Sequence, residues 1–549
     1  MTTSSGTLSR LQSDQSIRII QLLIGAIAIG LIFWQLQWST SAICCGDFDG
    51  YYHIKWTRTL WEGMKSGHFP PTFPWLPLTT LNPKDYVDHH LLFHIFQIPF
   101  AEFSDSRLGA KIASALFGGL AVFACYWLLI RYRVRYAFVW LIALLASSAP
   151  FLFRMNMAKA PPFAIIYLVI AIHLFFKRKY WPLLILALVF TWTYDLFLLL
   201  VMAAVFWVIT VAVTEHRFEW RPLVYVLVGC AAGLVVNPYF PHNLQLLFEH
   251  LQIKLTASDF DTKVGSEWYP YDSWEFLGNS AVACIAMLVG YIAFEPTERR
   301  RGHHPIFFLL FSTALMIMTA RWKRIAEYWP PFAILFAGFS LQPWLAGFRP
   351  YLTRLPADIL EELKPFLDRE GVSDEPIPQS DRRDVVRAIL ACAVAAALSV
   401  VLFFNLRATS REIGQSERHN HYRDGITWMR TNVPAGQVVF NTDWDDFPRL
   451  FYFDSTHYYV SGLDPSYLYD KDPDLSRLYD RITLGKEEDP GPLIRDRFGA
   501  RYVFSDNTHH DFFELARASG WFDIVYEDTQ CTIMYIRDEK IDENSLGVP

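Results

Sequence analysis

Long apolar segments recur along the first three quarters of the chain and are separated by short polar connections. Most have roughly 15–22 residues, the length that an α-helix needs to cross the hydrocarbon core of a bilayer. The pattern predicts spans near residues 17–38, 108–130, 136–153, 161–176, 181–194, 196–213, 222–236, 276–294, 305–320, 326–345 and 386–406. We therefore predict a multi-pass membrane protein with about eleven transmembrane helices, in a range of about ten to thirteen.

The apolar run at 181–213 is the least regular of these segments because Asp195 interrupts it. A single helix of that length would exceed the bilayer core, so we divide the run into two short spans. Asp195 is then either the residue at which the helix breaks or a functional acid within the membrane. At the N-terminus, a polar start and a long apolar stretch after Ile17 favour a membrane anchor over a cleavable signal peptide.

Basic residues predict the orientation of the spans, since cytoplasmic loops are rich in lysine and arginine. Three short connections have this composition: residues 131–135, 177–179 and 299–301. With these loops in the cytoplasm, the polar segments predicted to lie outside are residues 39–107, 154–162, 237–273 and the chain after 407. The charged loop 346–385 is predicted to be cytoplasmic.

The composition changes after residue 407 to that of a soluble α/β domain. Segments 437–440, 501–504 and 532–536 have the β-branched and aromatic residues of buried strands, and 424–432 and 511–519 have helical patterns. We predict two domains, a transmembrane domain at 1–406 and a soluble extracytoplasmic domain at 407–549. We expect an integral protein of a plasma or inner membrane, with its C-terminal domain on the extracytoplasmic side.

Charge and cysteine content exclude several classes of protein. The net charge of −6 gives no electrostatic basis for a nucleic-acid partner. The seven cysteines show neither CxxC nor zinc-finger spacing. The partners that this composition favours are membrane lipids.

Two carboxylates follow the first predicted span directly. Asp47 and Asp49 stand two positions apart, close to the predicted membrane surface, where carboxylates are costly to desolvate without a cationic partner. A divalent metal or a basic substrate would be such a partner. The alternative is a solvated turn at the end of a helix, since aspartate and glycine both favour turns.

A second polar group lies at Asp88, His89 and His90, with His94 one helical turn further on. Histidine and carboxylate at this spacing can bind a metal ion. The same residues can equally cap an amphipathic helix. Together with Asp49, the first three form a candidate site for a divalent cation, Mg²⁺ or Mn²⁺.

The sequence Asp-Gly-Tyr-Tyr-His-Ile-Lys-Trp-Thr-Arg at 49–58 resembles the first-loop motif of the oligosaccharyltransferase catalytic-subunit family, which are membrane glycosyltransferases of the GT-C fold. Three further segments match motifs of this family in the same order. Residues 264–270 are similar to the external loop that closes over the acceptor peptide, and 319–324 to the site of an arginine that contacts the donor phosphate. Residues 443–447 look like a degenerate WWDYG motif, which recognises the acceptor.

The resemblance implies a GT-C-like, all-α membrane domain and assigns roles to individual residues. Catalytic roles fall to Asp49, as base or metal ligand, to Asp47 in support, and to Glu267, which would position the acceptor. Donor-phosphate binding falls to Arg321, Lys323 and Arg324. Lys159 has no counterpart in the family motif but could take the phosphate as a point charge. Acceptor binding falls to Trp444, Asp445 and Asp446. Without the resemblance, the basic cluster at 321–324 could equally be charges that extend to the surface from a helix end.

The sequence departs from the family at two places. The turn at 154–162 lacks the family's second acidic pair and contains Lys159 instead, and the segment at 443–447 lacks the first tryptophan and the glycine of its motif. A glycosyltransferase with a lipid-linked donor and a different acceptor would tolerate both changes.

The resemblance thus predicts transfer of a sugar or oligosaccharide from a polyprenyl-(pyro)phosphate donor to a protein or glycan acceptor at the outer membrane face. A polytopic transporter and a non-catalytic scaffold with a GT-C-like core are the alternatives. A transporter would have polar groups near the middle of the membrane and internal symmetry. An enzyme would hold Asp49, Glu267 and Arg321 in one outer cavity.

Overall fold

The computed structural model describes residues 3–44, 48–256, 266–294, 303–346 and 379–540. The first half of the chain is helical. Its helices are α1 (Thr3–Gln37), α2 (Asp49–Lys65), α3 (Leu91–Ala101), α4 (Ser106–Arg131), α5 (Ala137–Ala146), α6 (Ala149–Met155), α7 (Pro161–Phe176), α8 (Pro182–Thr193), α9 (Leu198–Glu215), α10 (Arg221–Val236) and α11 (His242–Thr256). They are followed by α12 (Ser273–Asn279), α13 (Ala281–Ala293), α14 (His303–Arg321), α15 (Trp329–Ala346) and α16 (Gln379–Gly414).

Every apolar segment predicted to span the membrane is helical in the structure. Among the described residues, 5 helices are long and apolar enough for a crossing, and the number rises to 7 if each of two bent helix pairs is one span. These pairs are α5–α6 and α12–α13, each bent by 85°. Four shorter apolar helices, α3, α7, α8 and α10, accompany them. The chain is therefore a mostly helical integral membrane protein.

The bend between α5 and α6 has a local cause. The hydroxyl of Ser148 accepts a hydrogen bond from the backbone N–H of Phe151 at 3.4 Å and so caps a new helix. Pro150 occupies the first turn of α6, where a missing N–H costs nothing. A straight span over 136–153 is consequently replaced by two helices.

The predicted break at Asp195 is confirmed. Helix α8 ends at Thr193, a 3₁₀ turn covers Asp195–Phe197, and α9 begins at Leu198. Asp195 thus stands between two helices at the edge of the helical bundle.

The C-terminal part is an α/β domain, as predicted. Its strands are β1 (Val438–Asn441), β2 (Tyr458–Tyr459), β3 (Ala500–Asp506), β4 (Phe522–Glu527) and β5 (Cys531–Ile536), in the sheet order β2-β1-β3-β5-β4. Strand β1 is parallel to β2 and β3, whereas β5 is antiparallel to β3 and β4. Its helices are α17 (Arg423–Asn432), α18 (Phe447–Phe453), α19 (Ser466–Lys471), α20 (Pro473–Thr483), α21 (Pro490–Phe498) and α22 (His510–Ser519). Helix α16 carries the chain into this domain and continues to Gly414.

Aromatic side chains join this domain to the segment that contains α2 and α3. The rings of Trp75 and Phe451 are 4.7 Å apart, and those of Phe73 and Phe451 are 5.9 Å apart. The indole N–H of Trp75 donates to the carbonyl of Ser455 at 2.8 Å. These buried contacts fix the sheet domain over the helix ends where the polar segments meet.

Candidate active site

A cleft of about 150 Å³ lies between the ends of the apolar helices and the C-terminal domain. The residues that line it are Asp49, Tyr52, His53, His89, His90, Lys159, Ala160, Pro161, Tyr194, Asp195, Leu196, Leu198, Leu247, Glu267, Trp268, Arg324, Leu463, Asp464 and Tyr467. Most of its polar residues come from segments that the charge pattern places on the outer face. The folded chain therefore gathers widely separated segments at one site.

Asp49 is the first residue of α2, where backbone N–H groups and the helix dipole favour a negative charge. The glycine that follows allows the helix to approach its neighbours closely. A Cβ at Gly50 would lie 2.7 Å from the side chain of Ile43 and 2.9 Å from Cβ of Ala158. Glycine at this position therefore brings the start of α2 against the turn that contains Lys159.

Lys159 forms an ion pair with Asp49. Its Nζ lies 2.8 Å from Oδ2 of Asp49, and the two side chains are 11% and 23% exposed. Lys159 stands on the turn before α7, and Pro161 at the start of α7 fixes where that turn ends. The lysine that distinguishes this turn from the family motif is thus the direct partner of the predicted catalytic carboxylate.

Glu267 forms ion pairs with two arginines rather than presenting a free carboxylate. Its Oε2 is 2.5 Å from Nη2 of Arg154, and its Oε1 pairs with Nη1 of Arg324. Arg154 also donates from Nε to Oε1 of Glu327 at 2.5 Å. Burial alone would raise the pKa of Glu267, but Arg324, Arg154 and Lys159 together hold it well below its usual range. These pairs hold the 3₁₀ turn Ser266–Trp268, which contains Glu267, at the wall of the cleft.

Only one residue of the basic cluster lines the cleft. Arg324 does so, and its Nη2 donates to the hydroxyl of Tyr194 at 3.0 Å. Arg321, the last residue of α14, is exposed outside the cleft, and Nζ of Lys323 lies 3.1 Å from Oε2 of Glu275. Arg321 and Arg324 point in different directions because the α-helix changes to a 3₁₀ turn at 323–327.

Asp88 is buried in a hydrogen-bonded chain behind the cleft wall. Its two oxygens are 2.9 and 2.8 Å from Nδ1 of His94, and Oδ2 accepts from Nε1 of Trp56 at 2.9 Å. Nε2 of His94 is in turn 2.8 Å from Nδ1 of His53, which lines the cleft. Burial alone would raise the pKa of Asp88, but the interactions with His94 and Trp56 lower it below its usual value. Burial lowers the pKa of His53 well below its usual value.

The metal ligands predicted from the sequence are not gathered into a group. His89 and His90 line the cleft, but Asp88 is 2% exposed and directed at His94 and Trp56. Among the described residues, no three His, Cys, Asp or Glu side chains are placed to hold a metal ion. Asp47 lies outside the described residues.

The C-terminal domain reaches the cleft with residues other than those predicted to bind the acceptor. Trp444, Asp445 and Asp446 form a 3₁₀ turn that does not line the cleft. Burial, followed by the nearby carboxylates of Asp443 and Asp506, raises the pKa of Asp446 well above its usual value. The helix after this turn contacts the residue that precedes α2, because the guanidinium of Arg449 lies 3.9 Å from the ring centre of Phe48.

The loop that does reach the cleft contains Leu463 and Asp464. Leu463 has a backbone φ of 69°, which is rare for a bulky residue and stores strain. In the sequence, Gly462 and Pro465 on either side of this pair indicate a turn, but they do not indicate that the turn lies next to the cleft. His53 could have been predicted from the sequence, because a residue four positions after Asp49 lies on the same face of a helix.

The structure shows the first of the two roles left open for Asp195, that of a residue at a helix break. Asp195 also lines the cleft, with its Oδ2 3.8 Å from Nε2 of His89.

No protein-family model matches the sequence, and a search of curated proteins returned no match. Solved structures do match. The oligosaccharyltransferase of Archaeoglobus fulgidus in its apo form is similar with a TM-score of 0.58 and 13% identity, over 95% of this chain and 75% of that chain. The same organism's AglB, in complex with an inhibitory peptide and a dolichol-phosphate, has a TM-score of 0.61 and 12% identity over 95% of this chain and 75% of that chain.

A second kind of structure shares the fold along nearly its whole length. ArnT from Cupriavidus metallidurans, bound to undecaprenyl phosphate, matches with a TM-score of 0.54 and 14% identity over 93% of this chain and 97% of that chain. The chain thus has the GT-C fold of membrane glycosyltransferases. Within that fold it resembles the oligosaccharyltransferase, as its motifs predicted.

Proposed function

We propose that this protein is a membrane glycosyltransferase that moves a sugar or oligosaccharide from a polyprenyl-(pyro)phosphate donor to a protein or glycan acceptor at the outer membrane face. The observation that carries the proposal is one cleft, in a GT-C fold, that contains Asp49, Lys159 and the pair of Glu267 with Arg324. A carboxylate and two cations at one site match the needs of sugar transfer from a lipid phosphate.

The leaving group of such a reaction is a phosphate, which is stable as an anion and needs positive charge more than a proton. Lys159 and Arg324 supply that charge within the cleft. Arginine offers paired N–H donors to phosphate oxygens, and lysine acts as a compact point charge. The mechanism that we propose assigns the positive charge at the leaving phosphate to these two side chains.

Asp49 is proposed as the base that takes or orients the proton of the attacking acceptor group. In the structure, this carboxylate is paired with Lys159 at 2.8 Å. A donor phosphate attracts the same ammonium group and competes with Asp49 for it. Donor binding would thereby leave Asp49 available to the acceptor.

The ligands of the similar structures support a lipid phosphate as the carrier. AglB was solved with a dolichol-phosphate and an inhibitory peptide, and ArnT with undecaprenyl phosphate. For this chain, we place the acceptor between the cleft and the C-terminal domain, where Leu463, Asp464 and Tyr467 form one wall. Trp444, Asp445 and Asp446 would contact only a part of the acceptor that extends beyond the cleft.

The test is consumption of a lipid-linked donor by the purified protein in liposomes. Undecaprenyl- and dolichyl-phosphate and -pyrophosphate carriers with radiolabelled sugars are offered together with cell-envelope extract as the acceptor source. The readout is label leaving the lipid phase, which does not require the acceptor to be known. We expect wild-type protein to consume at least one donor, and consumption of none of them would refute the proposal.

The matched variants are Asp49→Asn and Glu62→Gln, both on α2. Asp49→Asn keeps the shape and removes the charge, and loss of a general base costs on the order of a hundred- to ten-thousand-fold in turnover. Glu62 is 60% exposed and pairs with Arg58 on the helix surface, so its variant controls for loss of a carboxylate from this helix. A folded Asp49→Asn protein with full turnover would remove Asp49 from the mechanism.

A further inference from the structure

A buried hydrogen-bonded chain runs from Asp88 through His94 to His53 and ends at the cleft. The three residues are 2%, 0% and 4% exposed, respectively. Each link is 2.8 or 2.9 Å long. His53 stands one helical turn after Asp49, so the two side chains share a face of α2 and both line the cleft.

With His94 as a neutral imidazole, the three groups permit one arrangement of the protons. An ionised carboxylate only accepts hydrogen bonds, so the nitrogen of His94 that faces Asp88 must carry its proton. In a neutral imidazole the other nitrogen is then an acceptor, and Nε2 of His94 accepts from Nδ1–H of His53. The remaining nitrogen of His53, Nε2, is consequently left without a proton.

Asp88 has two further donors, which fix its orientation. The indole of Trp56 donates to Oδ2 at 2.9 Å, and the backbone N–H of His90 donates to Oδ1 at 3.0 Å. With its oxygens occupied in this way, the carboxylate imposes one direction on the whole chain. A neighbouring group that orients an imidazole is a known means of controlling which of its nitrogens faces a substrate.

We infer that Asp88 and His94 are positioning residues that present Nε2 of His53 to the cleft as a hydrogen-bond acceptor, and that this nitrogen orients the attacking O–H or N–H group of the acceptor toward Asp49. The inference rests on the proposed function for the identity of that group. Asp49 and His53 would then hold the attacking group from two sides, whereas Lys159 and Arg324 hold the phosphate of the donor.

The protonation pattern can be tested without any substrate. Solid-state ¹⁵N NMR of histidine-labelled protein in lipid bilayers distinguishes protonated from unprotonated ring nitrogens, and the difference between wild type and His53→Asn identifies the signals of His53. We expect Nδ1 protonated and Nε2 unprotonated in the wild type, and the reverse in Asp88→Asn, whose amide can donate to His94. Wild-type protein with a protonated Nε2 on His53 would overturn the inference.

Donor consumption then tests the role of His53. We expect His53→Asn and Asp88→Asn each to lower kcat about ten- to a hundred-fold with the donor KM unchanged, since a hydrogen bond to a reacting group is lost. Because both act through one nitrogen, the double variant should be no slower than the slower single variant. Multiplied losses, or a raised donor KM alone, would contradict the inference.

Thr57→Val is the matched control. Thr57 donates to Oε1 of Gln97 at 2.9 Å, a buried hydrogen bond between the same two helices that does not reach the cleft. Its kcat should equal that of the wild type. If the wild type consumes no donor, the proposed function fails while the NMR result still decides the arrangement of the protons. If the wild type is active and His53→Asn is folded and equally active, only the present inference fails.

Discussion

Nζ of Lys159 lies 2.8 Å from Oδ2 of Asp49, so the cation and the carboxylate proposed for the two halves of the reaction are each other's partner. The pair joins the turn before α7 to the first residue of α2. Both side chains are largely buried, which reduces screening by solvent and strengthens their attraction. A ligand that takes one partner therefore changes the state of the other.

Lys159→Met should weaken donor use. It removes the ammonium that the phosphate would contact, and a charge-assisted contact of this kind corresponds to about ten- to a hundred-fold in donor KM. Lys159→Arg keeps the charge and should recover part of the loss. The measurement is donor consumption as a function of donor concentration; equal KM values for wild type and Lys159→Met would exclude Lys159 as a phosphate ligand.

Arg324 and Arg321 should differ in their effect although they are three positions apart. Arg324→Gln removes the only guanidinium of the 321–324 cluster that lines the cleft and should raise the donor KM about ten- to a hundred-fold. Arg321→Gln changes an exposed side chain outside the cleft and should leave KM as it is. The same kinetic assay compares them, and a larger effect of Arg321→Gln would show that the donor phosphate binds outside this cleft.

Glu267→Gln should lower thermal stability in a pH-dependent way. The arginines lower the pKa of Glu267 in the folded protein, so its stabilising contribution is complete above the unfolded pKa and is lost as pH falls toward the folded value. The difference in Tm between wild type and Glu267→Gln should be constant above about pH 4.5, near the ordinary pKa of glutamate, and shrink below it.

Scanning fluorimetry at a series of pH values measures this difference in detergent. Glu62→Gln provides the comparison, because its exposed pair with Arg58 should contribute little at any pH. A Tm difference for Glu267→Gln that grows toward acid pH would contradict the assigned sign.

The orientation in the membrane can be tested by cysteine labelling of intact cells. The positive-inside pattern predicts that residues after 407 are outside and that 346–385 is inside. An impermeant maleimide should label Asp474→Cys, whose parent side chain is 84% exposed, and should not label Asp374→Cys in the predicted cytoplasmic loop. The unaltered protein gives the background from its own cysteines. The reverse pattern would place the cleft on the cytoplasmic side.

The pattern of hydrophobic residues was sufficient to predict the helical framework. The length of each apolar run and the interruption at Asp195 are local properties, and they appear in the structure as helices and a helix break. The change of composition after 407 predicted the α/β domain, although α16 continues to Gly414 before the elements of that domain begin. The bends at α5–α6 and α12–α13 escaped prediction because each pair, taken together, has the length and hydropathy of a single span. A cap such as Ser148 within an apolar run is a weak local signal.

The sequence by itself also identified Asp49, Lys159, Glu267 and Arg324 as candidates, and all four line one cleft. Residue type and motif spacing are enough to nominate a charged side chain that stands near a predicted surface. They do not separate Arg324 from Arg321, because a short 3₁₀ turn decides which side chain enters the cleft.

Only the tertiary structure decided which side chains pair with each other. In the sequence, Asp88 has the residue type and spacing of a metal ligand, but in the folded chain it is hydrogen-bonded to His94 and Trp56. Asp464 lines the cleft, although the sequence around it indicates only a turn. Pairings such as Lys159 with Asp49 join residues more than a hundred positions apart. Such contacts depend on the packing of helices and domains in three dimensions, whereas periodicity along the chain reports only on neighbours within a few turns.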